Sequence, residues 1–78
     1  MSVQKLSNIS IDTYRLFLKK AGCKHIRTNS GHEHWSRNDL NRPITFQTHI
    51  DPVPEFIIKN ALRTLNLKRK DFFKILNS

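Results

Sequence analysis

The side chains of this chain that could do acid-base chemistry gather around one stretch, Arg27-Thr28-Asn29-Ser30-Gly31-His32-Glu33-His34-Trp35-Ser36-Arg37, with two more histidines at His25 and His49. An imidazole has an unperturbed pKa of about 6.5, so it can give or take a proton near neutral pH. Cutting an RNA strand without a metal needs three things: a base for the 2′-hydroxyl proton, an acid for the departing oxygen, and cations for the charge at phosphorus. Histidines suit the first two roles, and Arg27 with nearby basic side chains, Lys24 and Arg37 among them, suits the third.

Other chemistries compete for the same residues. His32, His34 and His49 could converge on a metal ion, yet no carboxylate or cysteine completes the set. A nucleophilic pair of Cys23 with His25 is weaker still, and Cys23 reads as core or helix-end packing. A polar sheet face that does no chemistry accounts for the histidines as well as catalysis does, on residue types alone.

Positioning comes from the elements. Asn29-Ser30-Gly31 is turn vocabulary, and Asn29 and Gly31 tolerate the positive φ angles at the centre of a two-residue hairpin loop. Beyond it His32, His34 and Ser36 alternate with Glu33, Trp35 and Arg37, so a strand sends both histidines to one face and the tryptophan to the other. A first strand is expected over Cys23 to Asn29, with Lys24, Ile26 and Thr28 on one side and His25 and Arg27 on the other. The second runs from His32 to Arg37. After the loop Asn38 to Arg42, Pro43 leads into a third, where Ile44, Phe46 and Thr48 alternate with Thr45, Gln47 and His49. Burying Trp35 with Phe46 suggests the pairings Ile26 with Trp35, Trp35 with Phe46 and Arg37 with Ile44. Arg27 then lies opposite His34, and His32 opposite His49.

The flanks read as helices. Ser10 is a good N-cap, Ile11, Tyr14, Leu18 and Ala21 recur at helical spacing with Phe17 beside them, and Gly22 is a C-terminal stop. Asp51-Pro52-Val53-Pro54-Glu55 opens a second helix with an apolar stripe of Phe56, Ile57, Ile58, Ala61, Leu62 and Leu65. A short last helix is expected over Lys68 to Leu76. Its start carries Lys68, Arg69 and Lys70, against the helix dipole, either as solvated surface or as an anion site. Residues 1–9 lack periodicity and read as a flexible leader to a single domain spanning 1–78.

Fourteen Lys and Arg against six Asp and Glu give a net charge of +8 over 78 residues, which points to a polyanionic partner, nucleic acid first. A basic surface docking on an acidic protein fits the same charge. The single cysteine forms no internal disulfide, and no apolar run approaches the roughly 20 residues of a membrane span, so a cytoplasmic protein with no membrane partner is expected.

The order of these pieces resembles the HicA family of toxins from type II toxin-antitoxin modules. In that family a helix ending in glycine leads to a strand and a Gly-Ser-His turn, then often Glu and an aromatic residue. The run here is Ser30-Gly31-His32-Glu33-His34-Trp35, with serine and glycine in the reverse order. Thr48-His49 resembles the end of the family's third strand, and Pro54 to Leu65 with Leu67 its next helix. The resemblance covers roughly Ile11 to Leu76. It implies an α+β fold of the double-stranded-RNA-binding-domain type, α-β-β-β-α, with a three-stranded antiparallel sheet and helices on one face. It also implies an mRNA-cleaving, translation-blocking ribonuclease that needs no cofactor, with His32 as the catalytic histidine and a HicB-type antitoxin as partner. The resemblance gives no established role to His49, His34 or Arg27; on the register argument and charge, His49 is a candidate second catalytic group, and Arg27, His34, Lys24 and Arg37 are candidate RNA contacts. A non-catalytic RNA-binding module of the same fold is the alternative.

Overall fold

Ser10 behaves as its type predicts: its backbone is extended and its hydroxyl accepts the Thr13 N–H at 3.1 Å, satisfying a donor that the first helical turn leaves open. In the computed structural model, which describes residues 5–78, the chain then runs α1 (Ile11–Lys20), β1 (Lys24–Asn29), β2 (His32–Ser36), β3 (Ile44–Gln47), α2 (Glu55–Thr64) and α3 (Arg69–Leu76). This is the α+β layout expected, a three-stranded antiparallel meander in the order β1-β2-β3 with a short third helix added. No helix among the described residues is long and apolar enough to cross a membrane.

Both long helices stop in the same way. Gly22, at φ 92°, sends its N–H to Lys19 while the Cys23 N–H reaches Leu18; Asn66, at φ 58°, does the same with Arg63 while Leu67 reaches Leu62. A left-handed residue just past the last turn satisfies carbonyls that would otherwise be left bare. At α3 the Asp71 carboxylate accepts the Lys68 N–H at 2.8 Å, which places a negative charge in the first turn behind the basic cluster.

The core lies between one sheet face and the helices. Tyr14, Phe17 and Leu18 of α1 meet Trp35, Ile44 and Phe46 of the sheet, Ile58 and Leu62 of α2, and Phe72 of α3. Tyr14 stands edge-on to Phe46 with ring centroids 4.8 Å apart, and Phe17 packs on Phe72 at 4.5 Å. Burial pushes the Tyr14 hydroxyl well above the ordinary tyrosine range, with the nearby Cys23 adding to it, so the phenol stays neutral.

Four expectations are corrected. The leader is not free over its described part: Leu6 is 1% exposed within the core, and the Ile9 carbonyl accepts the Val53 N–H at 2.8 Å. Residues 1–4 of that leader lie outside the described residues. Phe56, expected in the apolar stripe, is 63% exposed. Ile26, expected under Trp35, is 52% exposed, because the β1–β2 register shifts between His25 and Arg27 and leaves it as an extra residue in β1. Finally, β3 ends at Gln47, and Thr48 and His49 belong to the turn after it.

Among the described residues Glu33 is the buried charged side chain, at 5% exposure on the core side of β2. Arg15 of α1 donates to it through Nε, at 3.0 and 3.2 Å, and through Nη2, while the Trp35 indole N–H donates at 3.0 Å. Burial alone would raise this carboxyl, but the hydrogen bonds from Arg15 and Trp35, with the charge of Arg15 and a smaller contribution from His25, hold it below the usual carboxylate range. A depressed folded-state pKa contributes stability that is complete above the ordinary glutamate value of about 4.3 and lost as pH falls through the folded value. Urea unfolding should therefore show wild type losing stability on acidification toward pH about 3, with Glu33→Gln less stable at neutral pH but flatter across that window. Arg15→Ala, which strands the carboxylate, should cost about 3 kcal/mol at neutral pH, the low end for a buried pair because Arg15 is partly exposed.

Candidate active site

The β1–β2 hairpin turns on two residues, Ser30 at φ 53° and Gly31 at φ 77°. Positive φ at both central positions is what matches such a tight loop to the right-handed twist of its strands. Asn29, expected at the centre, is instead the last residue of β1 and pairs with His32. This arrangement brings the Ser30 carbonyl to 3.1 Å from His32 Nδ1. A carbonyl only accepts, so Nδ1 carries the proton and, in the neutral ring, Nε2 carries the lone pair. The hairpin thereby selects the tautomer of His32.

Cross-strand partners share a face, so the register assembles the uncovered side of the sheet. Asn29 lies opposite His32 and Arg27 opposite His34, as expected for Arg27. Lys24 lies opposite Ser36, so the irregularity at Ile26 brings Lys24 to the same face as Arg27, although simple alternation separates them. On the other flank His32 faces Gln47 and His34 faces Thr45, whose hydroxyl is 3.0 Å from His34 Nδ1. The expected pairings of β2 with β3 are thus off by two residues. A shift of two preserves faces, which is why Trp35, Ile44 and Phe46 are buried while His32 and His34 are not.

His49 does not lie opposite His32. Its place is fixed by Thr48, whose N–H and hydroxyl both donate to the Gly31 carbonyl, at 2.8 and 3.2 Å. The exposed His49 ring stands beside the turn, with Nδ1 3.8 Å from where a Gly31 Cβ would be. It stands at the end of the hairpin, and not across the strand from His32.

Two other basic candidates are committed elsewhere. Arg37 does not join Arg27 and Lys24: its Nη1 donates to the Ala21 carbonyl at 2.7 Å, and Nε and Nη2 grip Asp39 at 2.6 and 2.9 Å, so it ties the end of α1 to the loop after β2. His25 sits edge-on to Trp35 at 5.6 Å and is 2.9 Å from the Thr28 hydroxyl. Burial pushes the Cys23 thiol up, against the lowering influence of Arg37, so Cys23 is a packed thiol and not a ready nucleophile. Among the described residues no three His, Cys, Asp or Glu side chains are grouped to hold a metal ion.

Beside His32 the sheet edge opens into a cavity of about 250 Å³, lined also by Thr45, Phe46, Gln47, Ile50, Phe56 and Ile57. Sequence reading misses it because Phe56 looks like core. The helical angle was the available signal: Ile58, Ala61, Leu62 and Leu65 define the buried stripe, and Phe56, two residues before Ile58, falls about 200° away from it.

No family model, curated protein or solved structure matches the chain.

Gly31→Ala should destabilise the hairpin by about 1 kcal/mol in urea unfolding, because an added Cβ meets His49 only at ordinary contact distance and the cost is the left-handed backbone. Gly31→Asn should lose less, since asparagine tolerates that conformation.

Proposed function

We propose that this chain is a metal-independent endoribonuclease, the toxin of a HicA-type toxin-antitoxin module that blocks translation by cleaving mRNA. The observation that carries the reading is the hydrogen bond from His32 Nδ1 to the Ser30 carbonyl, which leaves Nε2 as the basic atom on the face shared with Arg27 and Lys24. The net charge of +8 and the ordered resemblance of Ser30 to Trp35, Thr48-His49 and Pro54 to Leu65 to that family support it.

In this mechanism His32 Nε2 takes the proton of a 2′-hydroxyl. The freed oxygen attacks the adjacent phosphorus, the bond to the 5′-oxygen breaks, and a second imidazole, His34 or His49, returns a proton to that oxygen. Arg27 and Lys24 meet the phosphate charge as it develops. A HicB-type antitoxin is the expected partner, covering this face.

His32→Ala should lower the single-turnover cleavage rate of single-stranded RNA by about 10²- to 10⁴-fold and relieve growth arrest on expression, with no loss of fold by circular dichroism. Cleavage by wild type should be unchanged in EDTA. Full cleavage by His32→Ala would overturn the catalytic role of His32, RNA binding by wild type without any cleavage would favour a non-catalytic RNA-binding module, and an absolute need for added metal would overturn the mechanism. Arg27→Ala should weaken RNA binding and reduce its salt dependence by about one counterion's slope.

A further inference from the structure

Phe56 is the most exposed large apolar side chain among the described residues, at 63%, and it lies on the rim of a cavity that His32 also lines. An aromatic ring left in water at the first turn of α2 contributes nothing to the core that Ile58, Ala61 and Leu62 already fill on the other side of that helix. Ile50, also exposed, extends the apolar surface, while Thr45 and Gln47 bring a hydroxyl and an amide from β3, the strand that faces the histidines.

We infer that this cavity is a base-binding subsite: it takes one unstacked nucleobase next to the scissile phosphate, on the ring of Phe56, with the Gln47 amide meeting the base edge. The inference rests on the ribonuclease reading above and specifies its substrate as single-stranded RNA. Size favours a base over a larger occupant, since about 250 Å³ falls below the roughly 300–1,000 Å³ of sites for drug-sized ligands. Chemistry favours it as well: a flat apolar wall with one amide able to give and accept hydrogen bonds is how single-stranded RNA is held, and every base has a face to stack. Continuity decides the position. His32 borders both the cavity and the cationic face of Arg27 and Lys24, so a strand whose phosphate lies against those cations can set its neighbouring base in the cavity. A base inside a duplex leaves its stack only at an energetic cost, so the subsite favours unpaired RNA.

The test uses the full chain and fluorescein-labelled 2′-O-methyl decamers, which lack the nucleophilic hydroxyl and remain intact, read by anisotropy. Phe56→Ala should weaken binding of the single strand by about 5- to 100-fold, while Phe56→Trp keeps it within about twofold. A decamer made abasic throughout should bind wild type and Phe56→Ala alike. Equal affinity of wild type and Phe56→Ala for the normal decamer, with Arg27→Ala still weakened, would overturn the subsite, leave the groove to a protein partner and keep the RNA reading. Failure of wild type to bind or cleave any RNA would overturn both. The exposure of Phe56 keeps folding out of the comparison, and thermal unfolding of Phe56→Ala matching wild type verifies this.

Discussion

The arrangement depends on one buried carboxylate. Glu33 is drawn to the core side of β2 by Arg15 of α1 and by the indole of Trp35. Successive strand side chains alternate, so fixing Glu33 inward sends its neighbours His32 and His34 outward together. The ion pair between helix and sheet, together with the burial of Trp35, Ile44 and Phe46, therefore holds the imidazoles on the opposite face. Trp35 acts in the same sense, since its ring can only be buried on the side where its N–H meets Glu33. Burying a charge is costly unless it is paired and hydrogen-bonded, and here three groups of donors answer one carboxylate from two elements.

With the faces of β2 fixed in this way, backbone geometry assembles the rest of the site. The left-handed pair Ser30 and Gly31 closes the hairpin and offers a carbonyl to His32, fixing which nitrogen can act as a base. The irregularity at Ile26 gathers Lys24 and Arg27 on the imidazole face, which straight alternation would have divided. Thr48 anchors the end of β3 to Gly31 and so brings His49 beside the turn. Arg37, by contrast, is consumed in holding α1 to the loop after β2, and Asp39 is held below the ordinary carboxylate range by its hydrogen bonds with that guanidinium.

Much of this was legible in the sequence because it rests on periodicity. The caps at Ser10 and Gly22, the alternation from His32 to Ser36 and the apolar spacing of α1 each reflect a local rule, and each holds. What escaped depends on non-local choices. The two-residue slip between β2 and β3 leaves every face unchanged, so no hydrophobic pattern could have exposed it. The irregularity at Ile26 has no mark in residue type, and it moved Ile26 out and Lys24 across. Leu6 looked free because a lone apolar residue has no period, yet it is buried with the core. Arg37 looked like a phosphate contact until the loop brought Asp39 and the Ala21 carbonyl to it.

If His32 Nε2 takes a 2′-hydroxyl proton, the RNA attacks its own phosphodiester and no water enters the cleavage step. Mass spectrometry of the fragments from a defined single-stranded RNA tests this most directly. Attack by the 2′-oxygen leaves a 2′,3′-cyclic phosphate on the upstream fragment and a 5′-hydroxyl on the downstream one, and these are the ends expected. A 5′-phosphate downstream would show that water, and not the 2′-oxygen, attacks phosphorus, and would contradict the role given to His32.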